Sequence, residues 1–252
     1  MSASAYSARM RPPLLKTLSA ACKIVVEEAT FTVSPVEGLS FRAMDQSHIE
    51  LVHVALPPSA FESFACEKED SFSLRTEDLA AVASRLDSGD GAVTLAEGDG
   101  SSVVLGLEGK TTRTFSLHTL DGGSGTAPLP KLEFTAKAAL SRALMERVLG
   151  DMAVVADQVT LDATPERLAF SGRSEAGSAD VRLAKGDLSS LECGEGTKAT
   201  YSIDYLAAFL KHVGGADEVT VEFGSRKPVR LTFALGDQGG LAAMYLAPRV
   251  SE

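Results

Sequence analysis

Four stretches of the chain repeat apolar residues at helical spacing, and most of what lies between them alternates in short β-branched runs. Leu79, Val82, Ala83 and Leu86 share one face of a helix expected over 78–86, and Leu206, Phe209, Leu210 and Val213 do the same over 204–213. A third helix is expected over about 141–152, burying Leu144, Val148 and Met152. The first opens near Pro12-Pro13, since proline is tolerated in an opening turn, and runs to about Cys22. Asp78 and Asp204 stand at helix starts, where a carboxylate accepts backbone N–H bonds. The remaining runs are bounded by Gly, Pro, Asp or Ser, which predicts antiparallel sheets joined by hairpins.

The pattern occurs twice. Leu79-Ala80-Ala81-Val82 is echoed by Leu206-Ala207-Ala208-Phe209, and a turn and a strand follow each: Val93-Thr94-Leu95 and Val219-Thr220-Val221. A second strand comes next, Val103-Val104-Leu105 in one case and Val229-Arg230-Leu231 in the other. Upstream, the strand–turn–strand of 31–41 matches that of 159–170, with Leu39 and Phe41 answering to Leu168 and Phe170. Several matches in one order at nearly constant spacing imply a duplicated fold of roughly 125 residues per copy. We expect an α+β chain divided into 1–118, a connector at 119–133, and 134–252. The connector is rich in Gly, Ser and Pro, as an exposed linker is, yet it holds apolar Leu129 next to Pro128 and Pro130.

Composition narrows the class. No apolar run reaches the 18–20 residues of a membrane span and no signal-peptide stretch opens the chain, so the expected location is cytoplasmic. Cys22, Cys66 and Cys193 form no CxxC pair, which favours plain thiols over a metal centre. There is no asparagine and there are three glutamines, a pattern expected of a thermophile or equally of a GC-rich genome. The formal net charge of −10 argues against a simple DNA-coating protein. Charge can be segregated, however, and each helix carries basic residues away from its apolar stripe. Lys16 and Lys23 flank the first helix, Arg85 comes late in the second, Arg142 and Arg147 are on the third, and Lys211 and His212 on the fourth. A solvated face explains any one of these. Together they predict a positive lane on a negative body, suited to phosphates and without a base-reading signature.

No catalytic centre emerges. Gly109-Lys110-Thr111 resembles the end of a phosphate-binding loop, but Val104 stands where that pattern needs glycine, so a hairpin turn is expected. His48 and His53, five apart, should not share a strand face, and no third ligand is near. No cofactor or metal is expected.

Gly38-Leu39-Ser40-Phe41-Arg42-Ala43-Met44-Asp45-Gln46-Ser47-His48-Ile49 resembles the first-domain signature of the proliferating cell nuclear antigen (PCNA) clamps in their archaeal form. Tyr245-Leu246-Ala247-Pro248-Arg249, within the closing 241–250, is similar to that family's C-terminal motif, and the likeness extends over nearly the whole chain. The connector departs from it, being rich in glycine and short of acidic and apolar residues. The resemblance implies a DNA clamp fold: three chains forming a six-domain ring, with helices inside and sheets outside. It implies a processivity factor that encircles double-stranded DNA without sequence preference and does no chemistry. Lys16, Lys23, Arg147 and Lys211, and with a looser match Arg85 and Arg142, would face the DNA. DNA polymerase, flap endonuclease, DNA ligase and the clamp loader would insert a hydrophobic peptide motif into a pocket of Met44, His48, Ile49, Leu51, Leu129, Pro130, Pro228, Tyr245, Ala247 and Pro248. Subunits would join by strand addition between Thr111, Arg113, Phe115 and Leu117 of one chain and Ala179, Val181 and Leu183 of the next. Homotrimer and heterotrimer both remain open. So do a checkpoint-type heteromeric ring and, from another class, an enzyme on a duplicated α+β fold.

Overall fold

The computed structural model describes residues 5–87, 89, 91–99, 101–121, 127–213 and 216–249. The middle of the connector and Val250 lie outside them. The first half runs β1 (Tyr6–Met10), α1 (Pro12–Lys23), β2 (Glu28–Ser34), β3 (Gly38–Met44), β4 (Glu50–Leu56), β5 (Ser63–Cys66), β6 (Asp70–Arg75), α2 (Thr76–Ala83), β7 (Ala92–Glu97), β8 (Ser102–Glu108) and β9 (Thr112–His118). The second half repeats it element for element: β10 (Ala136–Ser141), α3 (Arg142–Ala153), β11 (Gln158–Thr164), β12 (Arg167–Ser174), β13 (Gly177–Ala184), β14 (Ser190–Cys193), β15 (Thr197–Ser202), α4 (Ile203–His212), β16 (Glu218–Phe223), β17 (Val229–Leu235) and β18 (Gly240–Leu246).

All strand pairs are antiparallel, as expected from hairpin-bounded runs. Among the described residues they form three sheets: β5-β1-β7-β8-β9, β13-β12-β11-β15, and a nine-stranded sheet, β14-β10-β16-β17-β18-β4-β3-β2-β6. The largest is one sheet from each half, joined where β18 pairs with β4 from Leu241↔Ala55 to Leu246↔Glu50. Each sheet turns one face inward. In β2 and β3, Ala29, Phe31, Val33, Leu39, Phe41 and Ala43 are buried at alternate positions, as a pleat with one dry face requires. Tyr6, Phe72, Phe31 and Phe41 form a chain of ring contacts with centroids 5.2–5.7 Å apart, which locks β1 of one sheet onto β6, β2 and β3 of the next.

The helices cover the inner faces. In α1, Leu14, Leu15, Leu18, Ala21 and Cys22 are buried, each large side chain contributing about 1.5–3 kcal/mol of burial. In α3 the buried set is Met145, Val148, Leu149 and Met152. Leu144 is only half-buried, so the apolar stripe is rotated from the expected one. Ser141 caps α3, its Oγ accepting the Leu144 N–H at 3.2 Å, a contact worth about 1 kcal/mol. The expected caps at Asp78 and Asp204 are not formed. Arg75 and Ser202 hold the N-cap positions with no side-chain cap bond. Both aspartates fall inside the first turn, where they favour the helix dipole instead. β1 and β10 were not among the expected strands, although Tyr6, Ala8 and Met10 bury alternate positions of β1.

Candidate functional site

Helix α1 packs against α2 and α4, and α4 packs against α3, so the four form one continuous layer in the order α2-α1-α4-α3. Lys16 and Lys23 are exposed on α1 and, with His212 at the end of α4, line a groove of about 540 Å³ whose far wall is Ala80, Ala83 and Ser84. Two halves of the chain thus bring basic groups to one groove. Arg147 on α3 and Lys211 on α4 are exposed in the same layer. Arg85 is exposed just beyond α2, and its carbonyl accepts the Arg113 guanidinium at 2.8 Å. Arg142 is placed differently. Its Nε donates to Glu146 at 2.8 Å, another guanidinium N–H donates to the Leu210 carbonyl, and its charge lies 5.8 Å from the Phe233 ring. It ties α3 to the last turn of α4.

The lane is less uniform than expected. Glu77, Asp78, Glu146, Asp151 and Asp204 are also exposed on these helices, and only α1 is free of acidic residues.

On the outer face of the large sheet, Leu51, Ala243 and Tyr245 form a small apolar cluster separate from the main core, with Met44, Ala127, Leu132 and Leu241 packed against it. Strand register makes this possible: Leu51 pairs with Met44 on one side and with Tyr245 on the other. Arg230, opposite Tyr245, forms an ion pair with Glu222 and stacks between Phe134 at 5.1 Å and Tyr245 at 6.0 Å. It therefore holds the returning end of the connector beside the cluster. Of the expected pocket residues, Met44, Leu51 and Tyr245 come together here. Ala247 lies alongside, its N–H donating to the Ile49 carbonyl at 2.9 Å, while the Ile49 side chain packs against the main core. Pro228 directly precedes β17, and Pro130 and Pro248 are half-buried in loops. Leu129 is 37% exposed, and Ala127 and Leu132 of the connector pack against the cluster.

His48 is exposed in the β3–β4 turn with a positive φ of 57°. Asp45 builds that turn: its Oδ1 accepts the N–H groups of Ile49 at 2.8 Å and Glu50 at 2.7 Å. The duplication gives the apolar row equivalents on β12, β13 and β9, strands that belong to two different sheets. Through matching registers, Met44, Leu51 and Tyr245 correspond to Arg173, Ser178 and Ser116. These equivalents are polar and are not brought together by strand pairing among the described residues.

Ala127, Leu132, Leu241, Ala243 and Arg230 were not anticipated from the sequence. A signal for Leu241 and Ala243 existed: 241–246 is apolar at every position, where a strand with one wet face should alternate.

β9 and β13 end their sheets. Phe115 and Leu117 on β9, and Ala179 and Val181 on β13, are half-buried and turned toward the core side.

A duplicated chain with a helical layer on one side, an apolar slot on the other and, at β9 and β13, sheet edges equivalent to the paired β18 and β4 defines the protomer of a ring clamp. The family described as proliferating cell nuclear antigen, N-terminal domain, matches residues 7–121, and its C-terminal domain matches 128–249. The DNA polymerase sliding clamp of Cenarchaeum symbiosum is 34% identical over 240 residues, covering 94% of this chain and 95% of the relative. That of Thermococcus fumicolans is 32% identical over 237 residues, covering 93% and 94%. The crystal structure of PCNA from Thermococcus kodakaraensis superposes with a TM-score of 0.90 at 27% identity, covering 97% of this chain and 100% of that one. The A. fulgidus PCNA solved with the C-terminal region of FEN-1 shares the fold at TM-score 0.88 and 24% identity, covering 98% and 99%. The chain belongs to the proliferating cell nuclear antigen family.

Proposed function

We propose that the chain is a DNA sliding clamp: a ring subunit that encircles duplex DNA, tethers polymerases and other replication and repair enzymes to it, and catalyses nothing itself. It would act in the cytoplasm at the nucleoid, with domains at 1–118 and 134–252 about a connector of 119–133. The observation that carries this is the junction of β18 with β4. The equivalents of these strands in the opposite halves are β9 and β13, and among the described residues both lack a partner on their outer side. An unpaired edge rich in apolar residues is a hazard unless another chain covers it. Applying the internal register head to tail sets Phe115 of one copy opposite Ala179 of the next, as Met244 stands opposite Val52, and Arg113 opposite Val181, as Ala242 stands opposite Val54. A large side chain meets a small one, so the two edges are self-complementary. Such a heterologous contact closes into a ring when its rotation permits.

Within that ring Lys16, Lys23, Arg147 and Lys211 face the DNA, with Arg85 at the margin and Arg142 serving chiefly as a tie. Clients place an apolar plug on Met44, Leu51 and Tyr245, flanked by His48, Ile49, Ala247 and Pro248, with Pro228 and the connector residues Leu129 and Pro130 at its border. Binding there raises the effective concentration of the enzyme at the primer end.

The test is primer extension on a circular template by a polymerase bearing such a peptide, with clamp loader, in the presence and absence of the chain. Products lengthened only when chain and loader are both present support the reading. Unchanged product lengths, with the ring shown to be loaded, would overturn it.

A further inference from the structure

The row of outward side chains that forms the slot continues across the large sheet and changes character at one residue. By register, Met44, Leu51 and Tyr245 lead to Arg230 on β17. Beyond it stand Glu222 on β16, Lys137 on β10 and Glu192 on β14. The row is thus apolar on one side of Arg230 and charged on the other. Over the charged part lies a trough of about 410 Å³, lined by Phe134, Lys137, Glu192, Glu222 and Arg230, and by Leu132, which also packs against the slot. Arg230 is firmly held between the two. Its Nε and a second guanidinium nitrogen reach the same Glu222 oxygen at 2.6 and 2.5 Å, and its charge lies against the Phe134 and Tyr245 rings. Phe134 is itself fixed by backbone bonds on either side. The Glu133 carbonyl accepts the Lys227 Nζ at 2.5 Å, and the Thr135 N–H donates to the Phe223 carbonyl at 3.0 Å.

We propose that Arg230 is a specificity-determining residue of the slot: it closes the Tyr245 end and so limits the size of the apolar plug that can be seated. The inference rests on the peptide-binding reading of the slot. The stop is steric first, because the arginine side chain and the Phe134 ring stand between the slot and the trough. It is also electrostatic. A plug that pushed past Arg230 would part it from Glu222, whose side chain is only 12% exposed, and would leave a covered carboxylate without its partner. The planar guanidinium suits this place, since it stacks against rings while both bonds to the carboxylate stay in its plane. A plug of one ring therefore ends at Tyr245, and a longer one is refused although the trough beyond has room for it.

The experiment measures, by fluorescence anisotropy against the full chain, two peptides identical except at the plug, which is phenylalanine in one and 4-phenylphenylalanine in the other. Wild type is compared with Arg230→Lys and with an Arg230→Ala, Glu222→Ala double variant, which removes both charges so that no carboxylate is orphaned. Thermal melting checks each fold. Wild type should bind the single-ring plug about tenfold more tightly, and the double variant should lose that preference by binding the longer plug about tenfold better. Arg230→Lys keeps the ion pair and most of the bulk, and should keep most of the preference. Where the double variant melts below the assay temperature, Arg230→Gln replaces it: shorter than arginine yet able to donate to Glu222, it should lose part of the preference. The ratio of the two affinities is the deciding quantity, because a residue that merely braces the connector would weaken both peptides alike. An unchanged ratio in the shortened variants, or no preference in wild type, would overturn the stop and leave the slot intact. If neither peptide binds wild type, the slot reading falls, and this inference with it.

Discussion

Glu50 and His53 lie three positions apart in β4, so they project to opposite faces of the sheet, and both are held in their neutral forms. Burial, and then the charge of Asp45, pushes the Glu50 carboxyl from 4.5 up to about 8. Its Oε1 has no hydrogen-bond partner among the described residues. Between roughly pH 4.5 and 8 the folded chain keeps a proton that the unfolded chain has released, so stability falls as pH rises, and the loss is complete above about 8. His53 works the other way. Burial, and then Arg42, pushes it from 6.5 down to about 4. Its contribution is whole above 6.5 and is lost as pH falls toward 4. Together the two groups favour a stability maximum between about 4.5 and 6.5. Glu50→Gln keeps the shape of the protonated acid and cannot ionise. At about 1.4 kcal/mol per pK unit the relief above pH 8 is on the order of a few kcal/mol, or roughly 5 °C or more in Tm. Melting curves at pH 5 and pH 9 check this: the variant should match wild type at the first and exceed it at the second. Equal gains at both pH values would mean that the ionisation plays no part.

At the scale of elements, the strongest consequence lies in the edge strands β9 and β13. Phe115→Asp places a carboxylate in the inward row of β9, and Ala179→Glu does the same in β13. Each variant alone should be monomeric by light scattering, near 26.4 kDa, where a wild-type homotrimer would have three times that mass. Each also keeps one sound edge. Mixed together, they should form a dimer through β9 of the Ala179→Glu chain and β13 of the Phe115→Asp chain, and no ring. A face-to-face interface would give no such rescue. The duplication behind this argument was visible in the sequence, because Leu39 and Phe41 or Leu206 and Phe209 follow simple periods that burial preserves. Pairing between distant strands was not. Nothing local tells β18 to choose β4, since that choice depends on register and on what the other edges leave open. The slot was legible only through resemblance, and Ala127 and Leu132 of the connector gave no signal of their part in it. Leu129 stands out between its prolines, while the chain path sets Ala127 and Leu132 against the Leu51–Ala243–Tyr245 cluster. The stripe of α3 was misplaced because Leu144 and Met145 are both apolar neighbours, and their order of burial is decided by the packing of the helix on its sheets.

For the whole molecule, the formal charge of −10 is set against a helical layer in which exposed cations and acids are mixed. Such a layer is suited to loose contact. Exposed acids such as Glu146 and Asp151 beside Arg147 limit attraction to phosphates, and weak attraction allows movement along the duplex. Retention must then come from ring closure, and the two contributions can be separated. Arg147→Glu with Lys211→Glu alters only exposed side chains, so ring mass and Tm should stay as in wild type. Its binding to short linear duplexes should weaken, and the dependence of log K on log salt should flatten by about 0.9 for each phosphate no longer neutralised. Rings already closed on circular DNA should remain there in high salt for both proteins and leave when the circle is cut. Loading and processive extension by the variant should suffer, because the DNA is no longer guided through the centre. Unchanged linear-DNA binding and extension would show that these two residues do not face the duplex. Loss of variant rings from intact circles would show that phosphate attraction, rather than closure, holds the clamp in place.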